Sequence, residues 1–325
     1  MNAALNGKLV TVFGGSGFLG RYVVRSLAKR GWRVRAAVRR PDLAGGLMPY
    51  GAVGQVQAVQ ANLRPEFRWS VDRAIEGADA VVNLVGILST WGKQTFEAVQ
   101  AEGAASVAEA AKAAGITDLV HVSAIGANAA SRSHYAQSKA AGEAAVLAAV
   151  PSAVILRPSV VFGQDDNFFN KFASMAAMSP VLPLVGGGKT LFQPVYVVDV
   201  AEAIANAVEG GATPGATYEL GGPEVLSFKE ILERVLAATG RKRLLLPLPF
   251  ALAKLQAKIL QLLPNPLLTE DQVELLKSDV TVSDAAIAAG RTLAGLGITP
   301  HAVEAILPSY LWRFREHGQF DRRTA

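Results

Sequence analysis

One turn constrains this chain more than any other feature. The apolar run Leu9–Phe13 leads directly into Gly14-Gly15-Ser16-Gly17-Phe18-Leu19-Gly20, and an amphipathic stretch follows at once. An apolar, valine-rich run, a glycine turn and a helical pattern in that order predict a βαβ unit whose turn receives a pyrophosphate. The glycines permit a sharp turn and let backbone N–H groups approach the phosphates. The helix N-terminus favours the negative charge through its unsatisfied donors and dipole. Two spacings coexist: Gly15, Gly17 and Gly20 satisfy G-x-G-x-x-G, while Gly14, Gly17 and Gly20 give G-x-x-G-x-x-G.

The same alternation continues. Apolar runs at 9–13, 34–38, 55–60, 80–85, 119–122 and 153–156 read as strands, and stretches at 18–30, 96–114, 135–149 and 200–208 read as helices. The strands are apolar on both faces, as parallel strands sandwiched between helices must be. The expected fold class is therefore α/β, a Rossmann-type doubly wound parallel sheet with a smaller mixed C-terminal lobe. The domain expectation is 1–163 for nucleotide binding, with a sheet-completing return around 189–222, and 164–325 for the smaller lobe.

Composition narrows the chemistry. With 325 residues, half of them hydrophobic and 18% charged, a large core can be buried. The absence of cysteine excludes disulfides, thiolate nucleophiles and cysteine-ligated metal centres. His121, His134, His301 and His317 show no metal-ligand spacing, so no metal is expected. A net charge of +5 favours anionic partners, but the basic residues are scattered and no aromatic stacking array accompanies them, so no nucleic acid is expected. The stretch 244–263 is broken by Pro247, Pro249, Lys254 and Lys258; it can lie against a surface without crossing a bilayer. The N-terminus has neither the apolar core of a secretory signal nor an arginine-rich amphipathic look.

Arg39 and Arg40 close the second strand, where an acidic side chain would accept from the adenosine ribose hydroxyls of NAD. A carboxylate repels a 2′-phosphate, whereas a guanidinium pairs with it through two charge-assisted hydrogen bonds. NADPH is the expected cofactor. Tyr135 and Lys139, four apart on a predicted helix, share one face. The lysine charge would lower the phenol pKa and leave it an acid/base for hydride transfer.

These motifs resemble the extended and atypical short-chain dehydrogenase/reductase superfamily over roughly residues 8 to 225. The likeness places Asn62-Leu63 where the family usually has Asp-Leu beside the adenine, and has Val85-Gly86 end the fourth strand near the cofactor. It adds Tyr135-Ala-Gln-Ser-Lys139, and Leu156-Arg157-Pro158-Ser159-Val160-Val161 flanking the nicotinamide. It implies catalytic roles for Tyr135 and Lys139. The family's second small polar residue after the fifth strand, a Ser or Thr that holds the substrate, is Ala124 here; Ser123 fits the first position. An alanine neither donates nor accepts, and loss of such a partner costs about 10²–10³ in turnover.

Within that superfamily the chain resembles the NADPH-binding accessory subunits of respiratory complex I and their bacterial homologues. The likeness rests on the glycine turn through Arg21, Ser123-Ala-Ile-Gly126, Ser138-Lys139-Ala-Ala-Gly142-Glu143, and a distal pattern from Leu267 through Leu276, Leu296-Gly297-Ile298-Thr299-Pro300 and Leu307–Leu311. It implies a structural or regulatory NADPH, peripheral-arm partners, a membrane-surface contact through 244–276, and a place on the cytoplasmic side of the inner membrane, or the matrix side in an organelle. The alternative is a free-standing NADP-dependent reductase or epimerase acting through Tyr135 and Lys139 on a small sugar-, steroid- or isoprenoid-like substrate.

Overall fold

In the computed structural model the described residues are 5–261, 266 and 268–318; Leu267 of the distal pattern and part of 244–276 lie outside them. The described residues divide into two units. One runs to Pro158 and adds Val198–Leu220 and Ser283–Thr299; the other holds Ser159–Val197, Gly221–Val282 and the residues from Pro300 onward.

In the first unit, β1 (Leu9–Phe13), β2 (Arg33–Val38), β3 (Val56–Gln60), β4 (Ala80–Asn83), β5 (Leu119–Val122) and β6 (Val154–Pro158) join a later strand, Thr217–Leu220, in one sheet. From edge to edge the order is Thr217–Leu220, β6, β5, β4, β1, β2, β3, and every neighbouring pair is parallel. The order reverses between β1 and β4, so their C-terminal ends open a crevice where doubly wound sheets bind ligands. Every residue of β1 and β4 is buried, as the unbroken apolar runs require. Helices α1 (Phe18–Lys29), α2 (Arg68–Ile75), α3 (Glu102–Ala113) and α4 (His134–Ala149) make the crossovers. Phe13, Ile75, Val81, Val107 and Ile155 belong to one core cluster of this unit.

Two departures from the sequence expectation matter. The fourth strand stops at Asn83 rather than continuing to 85, because Asn83 Oδ1 accepts from Val85 N at 3.1 Å and turns the chain away from the ladder. The helix expected over 96–114 starts as a π-helical turn, Glu97–Ala101, before α3. Gly142 of α4 packs on that turn so closely that a Cβ there would meet Gln100 O at 2.3 Å.

The second unit is built from short pieces. Val161–Phe162 pairs with Val195–Tyr196, Leu191–Phe192 with Leu226–Ser227, and Val181–Val185 with Leu244–Leu248. Phe162, Phe169, Leu182, Phe228 and Ile231 form its core. Pro249 ends the strand Leu244–Leu248 and caps the helix Phe250–Leu260, which buries Ala253 and Ala257 while exposing Leu252, Leu255 and Ile259. No helix among the described residues is long and apolar enough to cross a membrane.

Candidate functional site

The glycine turn follows β1 at the crevice, and each glycine has a separate physical reason. Gly14 takes φ +80, which a side chain disfavours. A Cβ on Gly15 would come 2.9 Å from Ala36 Cβ of β2, and one on Gly20 would sit 2.2 Å from Gly14 O. These two glycines therefore let α1 close on the sheet. Gly17 differs: the nearest atom to its Cβ position is Gly14 O at 3.2 Å, so its outer face is open. Gly17 is also the N-cap of α1, with no side chain capping the helix and no acid in its first turn. The helix end is thus left available for an anion.

A cavity of about 550 Å³ opens beside that turn, within the range of small-molecule sites. Gly14, Ser16 and Gly17 line it from the turn, Arg39 from the end of β2, Asn62 and Leu63 after β3, and Val85 and Gly86 after β4. No acidic side chain is among its lining residues. Asn62 is braced by Ser70 Oγ, which accepts from its N–H at 3.0 Å. At this end Arg39 donates from Nη1 to Gln94 Oε1 at 2.8 Å. Arg40 instead points to the surface in a two-pronged pair with Asp42, at 3.0 Å from Nε and 2.6 Å from Nη2, and does not line the cavity.

The other end gathers a buried polar cluster behind Gly86. A Cβ on Gly86 would lie 3.3 Å from Lys139 Nζ and 3.4 Å from Gln100 Oε1, so the missing side chain is what lets these groups reach the cavity wall. Lys139 is 5% exposed and donates to Val122 O at 3.2 Å. Burial lowers its pKa from 10.5 to about 8, against the nearby Glu143 charge, which acts the other way. Glu143 is itself held by Arg157, Oε2 to Nη2 at 2.6 Å. Tyr135 stands one turn earlier on α4 with its ring edge-to-face against Phe96, centroids 5.8 Å apart. Ser133 caps the helix by accepting from Ala136 N at 3.2 Å.

Three polar atoms here are buried with no hydrogen-bond partner among the described residues: Gln100 Oε1, His121 Nε2 and Ser123 Oγ. Burial, with the Lys139 charge, drives His121 down to about 3, so its ring stays neutral. Ser123 is 4% exposed, and Ala124 offers no hydroxyl in its place. The buried orphan atoms and the open face of Gly17 fit a polar ligand spanning the crevice.

Phe18, Leu19 and Gly20 form the first turn of α1. Pro158 ends β6, and its carbonyl accepts from Ile125 N at 3.0 Å. Val161 lies in the second unit, paired with Val195. Sequence reasoning passed over Arg64, Trp91, Lys93 and Gln94, which line the cavity, and Gln100 behind it. Gly92-Lys93 carries a turn signal, but nothing in the local pattern says that the turn folds onto the end of β2.

Turn, sheet order and the Tyr135/Lys139 pair define a nucleotide-binding protein of the short-chain dehydrogenase/reductase type. The chain belongs to the NAD dependent epimerase/dehydratase family, whose profile matches residues 10–221, and it carries that family's nicotinamide-dinucleotide site. It is 36% identical over 328 residues to the mitochondrial NADH dehydrogenase [ubiquinone] 1 alpha subcomplex subunit 9 of Arabidopsis thaliana, covering 97% of this chain and 80% of that one. It is 37% identical over 206 residues to a ceramide reductase of Caulobacter vibrioides, covering 63% of this chain and 62% of that one. Among solved structures, the NADPH-dependent quinone oxidoreductase QOR2 of Escherichia coli, complexed with NADPH, superposes with a TM-score of 0.71 at 20% identity, over 93% of this chain and 98% of that one. That likeness speaks for the fold.

Proposed function

We propose that the chain is an NADPH-binding accessory subunit of respiratory complex I, held on its peripheral arm beside the membrane, with the nucleotide as a structural or regulatory ligand. The observation that carries this reading is the extent of the likeness to the Arabidopsis subunit: it runs through both units, 97% of the chain, whereas the likeness to the reductase stops at 63%. The site supports it. Ala124 leaves no hydroxyl at the position where the superfamily's substrate-holding Ser or Thr stands. Arg39 and the absence of an acid in the cavity favour the 2′-phosphorylated nucleotide.

In this reading Gly14, Ser16, Gly17 and the α1 N-terminus hold the pyrophosphate, Asn62 and Leu63 border the adenine, and Gly86, Tyr135 and Lys139 face the nicotinamide riboside. The nicotinamide itself is a hydride donor or acceptor. Lys139 supplies an ammonium at the ribose, and the penalty on its buried charge is relieved by a polar ligand. The exposed Leu252, Leu255 and Ile259, with Lys254 and Lys258 on the same helix, form a surface suited to anionic lipid headgroups. The position is the cytoplasmic side of the inner membrane, or the matrix side in an organelle.

The second reading, a free-standing NADP-dependent reductase, is favoured by one feature: Tyr135 and Lys139 are one helical turn apart on α4, with Lys139 Nζ directly behind Gly86 of the cavity wall. Complementation separates the two. In cells lacking the chain, accessory-subunit function predicts that assembled complex I falls and that Tyr135→Phe restores it fully. An unchanged amount of assembled complex I in the deletion sinks the proposal.

A further inference from the structure

The adenosine end of the cavity is bordered by a turn that no motif announces. Trp91 and Gln94 exchange both backbone hydrogen bonds at 3.0 Å, closing a two-residue tip of Gly92, at φ +55, and Lys93. All four residues line the cavity together with Arg39. The turn is tied to β2 through Gln94 Oε1, which accepts from Arg39 Nη1 at 2.8 Å. A neutral amide oxygen orients a guanidinium without cancelling its charge, which a carboxylate would do. Lys93 is exposed and has no ion-pair or hydrogen-bond partner among the described residues. Arg64, the third cation of the cavity, is paired with Glu66 at 3.3 Å, and Arg40 is taken by Asp42. Lys93 and Arg39 are therefore two uncompensated positive charges brought to one wall by one turn.

We infer that the Trp91–Gln94 turn is the second half of a 2′-phosphate site, in which Lys93 contacts the phosphate directly and determines nucleotide specificity, while Gln94 is a positioning residue that aims Arg39. This rests on the reading of the cofactor as NADPH. The chemistry recognised is a phosphomonoester on the adenosine ribose. A planar guanidinium from β2 and a mobile ammonium from the turn approach it as complementary donors. The two-pronged Arg40–Asp42 pair is left outside the site.

The test is a titration of the full chain, stripped of nucleotide, with NADPH, NADH and adenosine 2′,5′-bisphosphate. Lys93→Ala weakens NADPH and the bisphosphate about 10- to 100-fold and leaves NADH within about twofold, as loss of a charged hydrogen bond does. Lys93→Arg retains most of the NADPH affinity. Gln94→Glu, which keeps the hydrogen bond but neutralises Arg39, reproduces the selective loss, and Arg40→Ala changes neither nucleotide. If Lys93→Ala leaves the NADPH-to-NADH ratio unchanged while Arg39→Ala collapses it, the turn has no such role and the NADPH reading stands. If the unaltered chain binds NADH as tightly as NADPH and ignores the bisphosphate, the NADPH reading itself falls.

Discussion

Lys139 of α4 reaches the end of β5 and donates to the carbonyl of Val122 at 3.2 Å, in a position where its ammonium is almost wholly enclosed. Enclosure moves its pKa from 10.5 to about 8. Between those values the folded chain binds fewer protons at this site than the unfolded chain, so stability rises as pH climbs from about 8 toward 10.5. Below about 8 the whole penalty is present, roughly 3 kcal/mol at 1.36 kcal/mol per pKa unit. Lys139→Met should therefore raise the melting temperature of the nucleotide-free chain at pH 7, with an advantage that shrinks as pH rises through 8 and vanishes near 10.5. A melting temperature lowered equally at every pH would mean that the charge is not penalised there.

The glycine turn separates folding from binding. Gly20→Ala places a Cβ 2.2 Å from Gly14 O and should destabilise the chain by about 1–3 kcal/mol, the usual cost of overpacking. Gly17→Ala meets only Gly14 O, at 3.2 Å, and fills the face open to the cavity. It should melt close to the unaltered chain yet lose the nucleotide-dependent rise in melting temperature. Retention of that rise in Gly17→Ala would place the pyrophosphate elsewhere.

The helix Phe250–Leu260 offers a membrane test. Leu252, Leu255 and Ile259 lie on the face opposite the buried Ala253 and Ala257 and are more than half exposed. Replacing all three by serine should lower co-sedimentation with phosphatidylglycerol vesicles at least about tenfold, given ~1.5–3 kcal/mol for fully burying each such side chain, with no fall in melting temperature. Equal sedimentation of both proteins would remove the lipid contact.

How much of this was legible beforehand depends on the range of the interactions. The strands β1 to β6, the turn and the Tyr135/Lys139 face follow from local periodicity and spacing, and the parallel, doubly wound class follows from the alternation. The strand order and the return strand Thr217–Leu220 rest on long-range pairing. Strand ends were less legible, because Asn83 stops β4 by a side-chain hydrogen bond rather than by composition. The π-helical turn before α3 was hidden because its alanine-rich sequence suits an α-helix equally; the contact of Gly142 with Gln100 O is what accompanies it. The second unit resisted most, since two of its three strand pairs are only two residues long. Arg39 and Arg40 read alike in sequence, and only the positions of Gln94 and Asp42 distinguish the one that lines the cavity.

The central claim is that this chain belongs to complex I and carries its nucleotide as a resident ligand. Affinity isolation of the full chain from native membranes in mild detergent tests it most directly, followed by denaturation and identification of the released nucleotide. The account predicts co-purified complex I peripheral-arm subunits and about one NADPH per chain. Recovery of the chain free of every complex I subunit would contradict it.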